Sequence, residues 1–518
     1  MASTVSKKSK KDSPLYRPES AFDVLSIPIL GTALKSRYGR LILQIPLLII
    51  AIAMIYDGIF YPDTGAARNL ATVLPWVHYR GLIVLVLLLA GNLFCMGCPF
   101  TIPRTLAKKL SISGKRFPKF LRNKWLAIAS LFLIFFVYEW LDLWASPWLT
   151  AWLIIAYFLA SFVLEAVFKE SVFCKYVCPL GSFNYVYGTA APTQIGVKNY
   201  DVCKSCQGKE CVNGSFATDS IIRIDKIPFI DADGNLHYKD VEVENNPQGV
   251  LGCGTELFPP QIKGNMDCVY CLDCVRACPH DNIGLMTRLP GRELLKDGAW
   301  AKRWDMSLLV IMLAFLAVVN AFGMVPPVFD LLEWFASIGF ANEFIPLFLI
   351  FFVGGVVIPV GLSLIAAKMT QMLTFTDNAV SLRDTVATFA PAFVPLGFGI
   401  WIAHYAFHFL IAPLSFIPIL QEFFGADRGD WATYGFVVDL NAIAILQIIA
   451  LLGGFLWSMY IALQASTRVY GRRSSFGGMM PWGLMLLVLM ISAYQVFTMP
   501  MEMRGTEDIF AMILSAIM

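Results

Sequence analysis

Nine long apolar segments constrain the fold of this chain more than any other feature of its sequence. They cover approximately residues 41–56, 81–98, 124–140, 148–168, 306–326, 344–367, 386–413, 435–463 and 480–499. A helix that crosses about 30 Å of hydrocarbon needs about 17–25 predominantly apolar residues. Only 15% of the 518 residues are charged, too few to cover a soluble protein of this length. The segments predict an α-helical polytopic membrane protein with about nine transmembrane helices, solvated by membrane lipid.

A polar stretch between the fourth and fifth apolar segments divides the chain, and it holds ten of the twelve cysteines. We predict five parts: a basic N-terminal arm (1–40), a four-helix bundle (41–168), an inserted domain (169–305), a five-helix bundle (306–499) and a C-terminal tail (500–518). Metal ligation is favoured over disulfides because the basic N-terminus lacks the apolar core of a secretory signal. The net charge of +3 gives no reason to expect a nucleic-acid partner.

The distribution of basic residues predicts the orientation of the helices. The N-terminal arm and the loops after the second and eighth apolar segments are rich in Lys and Arg. The loops after the third and fifth segments instead carry Glu139, Asp142, Asp330, Glu333 and Glu343, with no base. Short basic loops remain in the cytoplasm. The N-terminus and the inserted domain are therefore expected in the cytoplasm and the C-terminus outside.

Cys268, Cys271, Cys274 and Cys278 form the pattern Cys-x2-Cys-x2-Cys-x3-Cys-Pro, the strongest functional signal in the sequence. In bacterial ferredoxins three such thiolates bind one 4Fe–4S cluster, and the fourth cysteine serves a neighbouring cluster. Zinc is the alternative metal, but its ligands do not usually form such a triple. The pattern predicts an α+β domain of the bacterial ferredoxin type with two 4Fe–4S clusters.

The neighbouring cluster has a candidate ligand set in Cys203-x2-Cys206-x4-Cys211. The last gap in this set is wider than usual, and no Cys-Pro follows it. Cys278 would complete the set, because in the ferredoxin pattern the fourth cysteine ligates the other cluster. We therefore expect these four cysteines to bind the first cluster.

The second cluster, on Cys268, Cys271 and Cys274, then lacks a fourth thiolate unless Cys253 provides it. Glycines flank Cys253 in the segment LGCGTELFPP, and they permit a close approach of the backbone. The alternative is that Cys253 is a packed free cysteine.

The four remaining cysteines form two pairs, Cys95-x2-Cys98 and Cys174-x3-Cys178, each followed by proline. Residues three or four apart share a helical face, and proline ends the helix. Helices two and four run in the same direction, so both pairs are expected at one depth, at the cytoplasmic membrane surface. The four thiols predict a third iron–sulfur or metal centre. The alternative is thiols that simply pack at helix ends.

These cysteine motifs resemble those of the NapH and NosR group of membrane polyferredoxins, to which the oxidase-assembly protein CcoG is also similar. FCKYVCPLGSFN (173–184) matches the Cys-x3-Cys-Pro motif of that group, whereas FCMGCPFT (94–101) has one residue fewer between its cysteines. The resemblance covers approximately residues 80–290. It implies a prokaryotic inner-membrane protein that transfers electrons to or from the quinone pool. It also implies other redox subunits as partners, such as a c-type cytochrome or a periplasmic reductase.

Histidines in the apolar segments suggest a further site near the outer surface. His404 and His408 share one face of helix seven, and His78 precedes helix two. Asp439 begins helix eight at a similar expected depth. Ionisable residues inside a membrane are functional candidates, and imidazole suits haem iron or a quinone headgroup. We expect a quinone or haem b site, with interhelical hydrogen bonding as the alternative explanation.

Three functions are compatible with the sequence. The favoured one is a membrane iron–sulfur subunit of an oxidoreductase, similar to a quinol dehydrogenase, that relays electrons between quinone or a redox partner and its clusters. The glycines and prolines of the last five helices also permit a redox-coupled ion-translocating subunit. The similarity to CcoG permits metal handling or oxidase assembly.

Overall fold

Helices account for most of the computed structural model of this chain. The described residues are 21–36, 38–104, 107, 115–215, 222–231, 233–244, 249–296, 300, 302–340, 342–375, 380–425 and 438–501. Most of the expected N-terminal arm (1–40) and of the expected C-terminal tail (500–518) lies outside them.

Within the described residues, seven helices are long and apolar enough to cross a membrane, which is consistent with a helical membrane protein. They are α1 (Gly39–Phe60), α2 (Leu70–Ala90), α5 (Pro147–Val167), α7 (Trp304–Phe322), α8 (Phe344–Thr374), α9 (Leu382–Leu410) and α10 (Leu440–Phe497). Three shorter helices lie among them, namely α3 (Leu93–Gly97), α4 (Trp125–Trp140) and α6 (Pro179–Tyr187).

The difference between nine apolar segments and seven long helices has two causes. Helix α4 is apolar but has only 16 residues. Helix α10 has 58 residues and covers two apolar segments, which Gly471 separates by a non-helical conformation with φ 76°. The two halves of α10 run antiparallel, since a Cβ on Gly483 would lie 3.0 Å from Met459 Cε. The number of membrane crossings stays a prediction.

Helices α7 and α9 form the centre of the bundle. In each of these two helices 83% of the most apolar 18-residue stretch is buried, compared with 22% of the same stretch in α1, α8 and α10. Trp401 of α9 and Trp482 of α10 are fully buried there. Large apolar side chains such as Ile49 and Leu456 are exposed on the peripheral helices, where lipid would cover them.

Two short segments turn back into the bundle. Gly91, with φ 72°, ends α2, and α3 then reverses so that the ring of Phe94 lies 4.6 Å from that of Tyr79. After α5 the chain likewise returns, and the ring of Phe173 lies 6.0 Å from that of Tyr157. The expected continuous helix over 81–98 is therefore wrong, because the glycine breaks it.

The second returning segment continues into α6, whose nine residues are nearly all buried. The ring of Phe183 packs 5.4 Å from that of Trp401, at the centre of the bundle. The residues up to about 190 thus pack with the bundle, and the boundary expected at 169 stays a prediction. Irregular backbone at this depth is tolerated when protein surrounds it.

Residues 191–296, here called the cysteine-rich domain, contain two two-stranded antiparallel sheets. Strand β1 (Thr193–Val197) pairs with β4 (Ile283–Thr287), and β2 (Ile222–Ile230) forms a hairpin with β3 (Leu236–Glu244). The short helices of this domain are Tyr200–Ser205, Glu210–Asn213, Asp273–Ala277 and Arg292–Leu295. Among the described residues, the remaining short α-helices are Pro28–Lys35, Pro326–Ser337 and Phe416–Phe423.

Candidate metal centres

The structure places all twelve cysteines as free thiols. They form three groups of four. The first group consists of Cys203, Cys206, Cys211 and Cys278. The second consists of Cys253, Cys268, Cys271 and Cys274. The third consists of Cys95, Cys98, Cys174 and Cys178.

The four thiols of the first group line a single cavity. Asn282 connects two of them, because its Nδ2 donates to Cys203 Sγ at 3.1 Å and its backbone N–H to Cys278 Sγ at 3.4 Å. Burial, together with the neighbouring thiols led by that of Cys278, raises the pKa of Cys211 to about 12. Cys278 therefore lies with the first group and not with the other cysteines of its own motif.

An alternative ligand set overlaps the first group. Ligand atoms of Cys206, Asp225 and His280 lie within 4.8 Å of one another. Arg223, however, donates two hydrogen bonds of 2.8 Å to the Asp225 carboxylate and holds the pKa of that group below its usual value. Since the guanidinium neutralises Asp225 and would repel a cation, Asp225 is better understood as a partner of Arg223 and His280.

The second group brings Cys253 together with the three closely spaced cysteines of the ferredoxin-type motif. Burial raises the pKa of Cys274 well above its usual value, and the thiols of Cys253, Cys271 and Cys268 add to the shift. The long insertion thus returns Cys253 to the position where a fourth ligand is needed. Burial of protonated thiols also means that metal uptake must release protons.

The loop of the second group is tightly wound. Asp267, Tyr270 and Leu272 have positive φ values of 63°, 53° and 58°. Residues other than glycine rarely adopt this backbone conformation. Where they do, the strained residues are often found at ligand-binding sites. The loop therefore has the curvature needed to surround a compact cofactor.

Two arginines lie beside the second group, and the sequence analysis did not identify them. Although burial raises the pKa of Asp273, the guanidinium groups of Arg40 and Arg104 hold it below its usual value. Arg104 also pairs with Glu165 at 3.6 Å. Both arginines stand near the ends of apolar segments, where a sequence alone suggests only contact with the membrane surface. They place positive charge beside the thiolates that a bound metal would create.

The third group joins the two returning segments. The thiols of Cys95, Cys98 and Cys178 are close enough to influence one another electrostatically. The thiol of Cys174 is likewise close to those of Cys98 and Cys178. Asn184 Nδ2 donates to Cys95 Sγ at 3.1 Å, and Gly181 N–H donates to Cys178 Sγ at 3.2 Å. The structure thus brings together the four cysteines that sequence reasoning grouped.

The unequal spacing of the two pairs has a local structural cause. Cys95 lies on the α-helical turn of α3, whereas Cys174 lies on a π-helical turn, Phe173–Val177, in which Cys178 N–H donates to Phe173 O at 2.7 Å. A π-helical turn accommodates one additional residue. Cys98 (φ −61°, ψ 120°) and Cys178 (φ −62°, ψ 117°) then leave their turns in the same conformation, and a helix begins at the following proline.

The third group lies inside the bundle and not at its surface. Cys98 and Cys178 are close to the side chains of Tyr79 and Tyr157, which stand near the middle of α2 and α5. The expected position of this group at the cytoplasmic membrane surface stays a prediction. The reversal after Gly91 and the return after α5 carry the thiols inwards.

The three groups are connected directly to one another. The backbone N–H of Cys253 donates to Cys211 O at 2.9 Å, which joins the first group to the second. Asn92 Nδ2 donates to Cys268 O at 2.6 Å, and Cys95 lies within electrostatic range of Cys268. Ser171 N–H, near Cys174, donates to Gly254 O at 2.9 Å.

Of the four residues expected at the outer site, two share one buried position and the other two have different surroundings. His404 and His408 are buried side by side with ring centroids 5.1 Å apart. The ring of His78 packs on Phe409 and Phe416, and its Nδ1 lies 3.3 Å from Val73 O. Asp439 is exposed and caps the N-terminus of α10.

Aromatic rings fill the surroundings of the histidine pair. The rings of Trp401, Tyr405 and Phe497 lie 6.3, 5.3 and 6.1 Å from that of His404. The expected quinone or haem b site stays a prediction. Both ring nitrogens of His404 are buried without a hydrogen-bond partner in the described residues.

Arg80 is the functional candidate that sequence reasoning missed at this site. It is buried, donates to Tyr138 Oη at 3.1 Å, and its guanidinium lies 5.2 Å from the Tyr405 ring centroid. The sequence signal was present, since an arginine within PWVHYRG adjoins an apolar run. Placing the start of the helix at residue 81 instead of Leu70 assigned this arginine to the surface.

The donor chemistry of the three groups fits iron–sulfur clusters. Each group offers four soft thiolate ligands and contains no histidine. No family model, curated protein or solved structure matches the chain.

Proposed function

We propose that the protein is a membrane iron–sulfur electron-transfer subunit of an oxidoreductase in the prokaryotic cytoplasmic membrane. The observation that carries this proposal is the contact between three four-cysteine groups. A backbone hydrogen bond joins Cys253 of the second group to Cys211 of the first, and Asn92, three residues before Cys95 of the third group, donates to Cys268 O of the second. The groups extend from the cysteine-rich domain into the helical bundle. The distribution of basic loops supports a cytoplasmic position for this domain and an outer position for the C-terminus.

The cysteine-rich domain is proposed as a ferredoxin-like domain with two 4Fe–4S clusters. The location of Cys278 beside Cys203 supports this proposal, because interleaved ligand sets are typical of two-cluster ferredoxins. Two independent zinc sites would not require such an exchange. The pairing of β1 with β4 brings together the two chain segments that flank the cysteines.

The third group is proposed to hold a further iron–sulfur centre. Hydrogen bonds to sulfur, such as that from Asn184 to Cys95, are among the interactions that tune such centres. A bound iron–sulfur cluster would transfer electrons between a donor and an acceptor. The protein fixes their spacing, excludes water and supplies the balancing charges of Arg40 and Arg104.

The exchange of electrons with quinone is proposed to take place near His404 and His408. Phe183 of α6, which follows Cys178, packs on Trp401, and the Trp401 ring packs on that of His404. The third group and the histidine pair are thus linked by contiguous side chains. Arg80 and the unpartnered nitrogens of His404 offer hydrogen bonds to the oxygens of a quinone headgroup.

Analysis of iron and sulfide, with electron paramagnetic resonance, tests the proposal. The purified protein is expected to hold about twelve irons, four for each group. Cys278→Ser should broaden or remove the signal of the first group and leave that of the second. Cys274→Ser should have the opposite effect, and thus serves as the matched comparison. Zinc in place of iron, or equal damage to both clusters in Cys278→Ser, would contradict the proposal.

A redox-coupled ion-translocating subunit is the second candidate. Glu139 of α4 is buried in the bundle and accepts a hydrogen bond from Asn320 of α7 at 3.2 Å. A carboxylate at this position is costly and is often part of an ion path. Electron transfer in proteoliposomes that generates no pH or sodium gradient would exclude this candidate.

A further inference from the structure

A basic cavity of about 700 Å³ opens beside the start of three membrane helices, on the side of the bundle that carries the cysteine-rich domain. Trp125, Trp304 and Leu382 line it, and they are the first residues of α4, α7 and α9. Leu364 of α8 forms part of its wall. The cavity is distant in sequence from all three cysteine groups, and the proposed electron transfer does not use it.

Positive charge dominates the cavity. Its lining includes four basic residues and one acidic residue, namely Lys119, Arg122, Arg303, Arg383 and Asp305. Arg303 is paired with Asp305. Arg122 pairs outside the cavity, with Glu170 at 2.8 Å. Lys119 and Arg383 are exposed and have no ion pair among the described residues. Among the described residues, two of the four basic side chains of the cavity therefore have no carboxylate partner and are available to an anionic ligand.

The other side of the cavity is apolar and aromatic. Trp125 is 45% exposed, and Leu382 is 38% exposed. Tryptophan is enriched where membrane meets water, because its ring is apolar and its N–H is polar. Leu364 lies inside α8, well before the end of that helix at Thr374, so the wall continues towards the hydrocarbon. A ligand of this cavity needs both an anionic head and an apolar portion.

We propose that the cavity binds the phosphate headgroup of an anionic phospholipid. Lys119 and Arg383 would contact the phosphate, and the acyl chains would run along Leu364 and the tryptophans. Basic pockets between membrane helices recognise such headgroups. Inorganic phosphate shares the charge but has nothing to place against the apolar wall, and an acidic peptide would leave that wall in contact with lipid.

The position of the cavity links the lipid to the cysteine-rich domain. Lys124 stands between two lining residues, Asn123 and Trp125. Its backbone N–H donates to Asp305 Oδ2 at 2.7 Å, and its ammonium group pairs with Asp267, next to Cys268. A bound lipid would thus stabilise the junction that holds the second cysteine group against the membrane.

Measurement of lipid retained by the purified protein tests the proposal. The full chain, exchanged into nanodiscs of mixed phosphatidylglycerol and phosphatidylcholine and then extracted gently, should retain about one phosphatidylglycerol per protein by native mass spectrometry. The double variant Lys119→Gln/Arg383→Gln should retain several-fold less. Arg472→Gln/Arg473→Gln removes two exposed charges outside the cavity and should retain as much as the wild type.

Three results would overturn the proposal. The first is equal retention by the Lys119→Gln/Arg383→Gln variant with an unchanged fold by circular dichroism. The second is retention of phosphatidylcholine as readily as of phosphatidylglycerol. The third is displacement of the lipid by millimolar inorganic phosphate, or by an acidic peptide, because either would identify a soluble ligand. Restoration by Lys119→Arg/Arg383→Lys would support recognition of charge.

Discussion

At the scale of single residues, Asn184 and Asn282 have parallel positions. Each amide donates a hydrogen bond of 3.1 Å to a cysteine sulfur, Asn184 in the third group and Asn282 in the first. Asn184 ends the segment FCKYVCPLGSFN and Asn282 lies four residues after Cys278, but cysteine spacing gave no reason to assign either side chain a role. Sequence spacing identifies ligands, whereas the residues that orient them depend on how distant segments fold together.

We expect Asn184→Leu to lower the reduction potential of the third centre by tens of millivolts. Hydrogen bonds to sulfur stabilise the reduced, more negative cluster, so their loss favours the oxidised form. Redox titration followed by electron paramagnetic resonance measures the shift. Asn282→Leu is the control, and it should shift the first centre alone. A change at all centres in either variant would indicate a general structural effect.

The different surroundings of His404 and His78 lead to a second prediction at this scale. His404→Ala should reduce quinone-linked turnover at least about tenfold, because it removes a buried group beside the proposed headgroup site. His78→Phe should leave turnover close to that of the wild type, since His78 packs on Phe409 and Phe416 instead. Turnover is measured with a soluble quinone analogue, and cluster spectra verify that both variants are loaded. Equal loss of turnover in both variants would contradict a role for His404 that His78 does not share.

At the scale of elements, the returning segments are the main difference between expectation and structure. The apolar run 81–98 is uniform in composition, and hydropathy alone cannot show that the helix ends at Ala90. The Gly91–Asn92 pair was the available signal, because such dipeptides favour turns. The pairing of Cys95 and Cys98 with Cys174 and Cys178 was nevertheless predictable, since the proline after each pair marks two equivalent segments.

Gly91 allows a direct test of the first returning segment. Its φ of 72° disfavours other residues, and an added Cβ would lie 2.9 Å from Ala191 Cβ and 3.0 Å from the Tyr270 ring. Gly91→Ala should therefore cost about 1–3 kcal/mol in backbone strain and further energy in contacts. We expect loss of the third centre while the first centre remains. Gly361→Ala, at a helical position with open space, is the control.

At the scale of the whole molecule, the cysteine-rich domain is held to the bundle by buried polar contacts. The Lys124 side chain is 2% exposed, pairs with Asp267 and donates to Lys175 O at 2.7 Å. This single residue therefore joins the domain, the start of α4 and the segment of the third group. The sequence indicated Lys124 only as one of many basic loop residues, because its partners are distant along the chain.

Lys124→Gln should loosen the attachment of the domain. Removing one member of a buried ion pair leaves the other without compensation, and we expect a loss of about 3 kcal/mol or less, given that Asp267 keeps 17% exposure. Thermal unfolding and limited proteolysis of the intact protein in detergent measure the effect. Lys226→Gln, an exposed lysine on β2, should behave as the wild type. Unchanged stability in Lys124→Gln would mean that the domain is held elsewhere.

The burial of the third cysteine group has a consequence for how the protein matures. The cysteine-rich domain covers this group, with Tyr270 against Gly91 and Cys268 bonded to Asn92. A scaffold that delivers iron and sulfide needs direct access to open thiols, and here access ends once the domain has docked. If the third group holds the proposed centre, we expect that centre to be assembled first, before the domain docks. This order would follow the order of synthesis, since Cys95 to Cys178 leave the ribosome before Cys268.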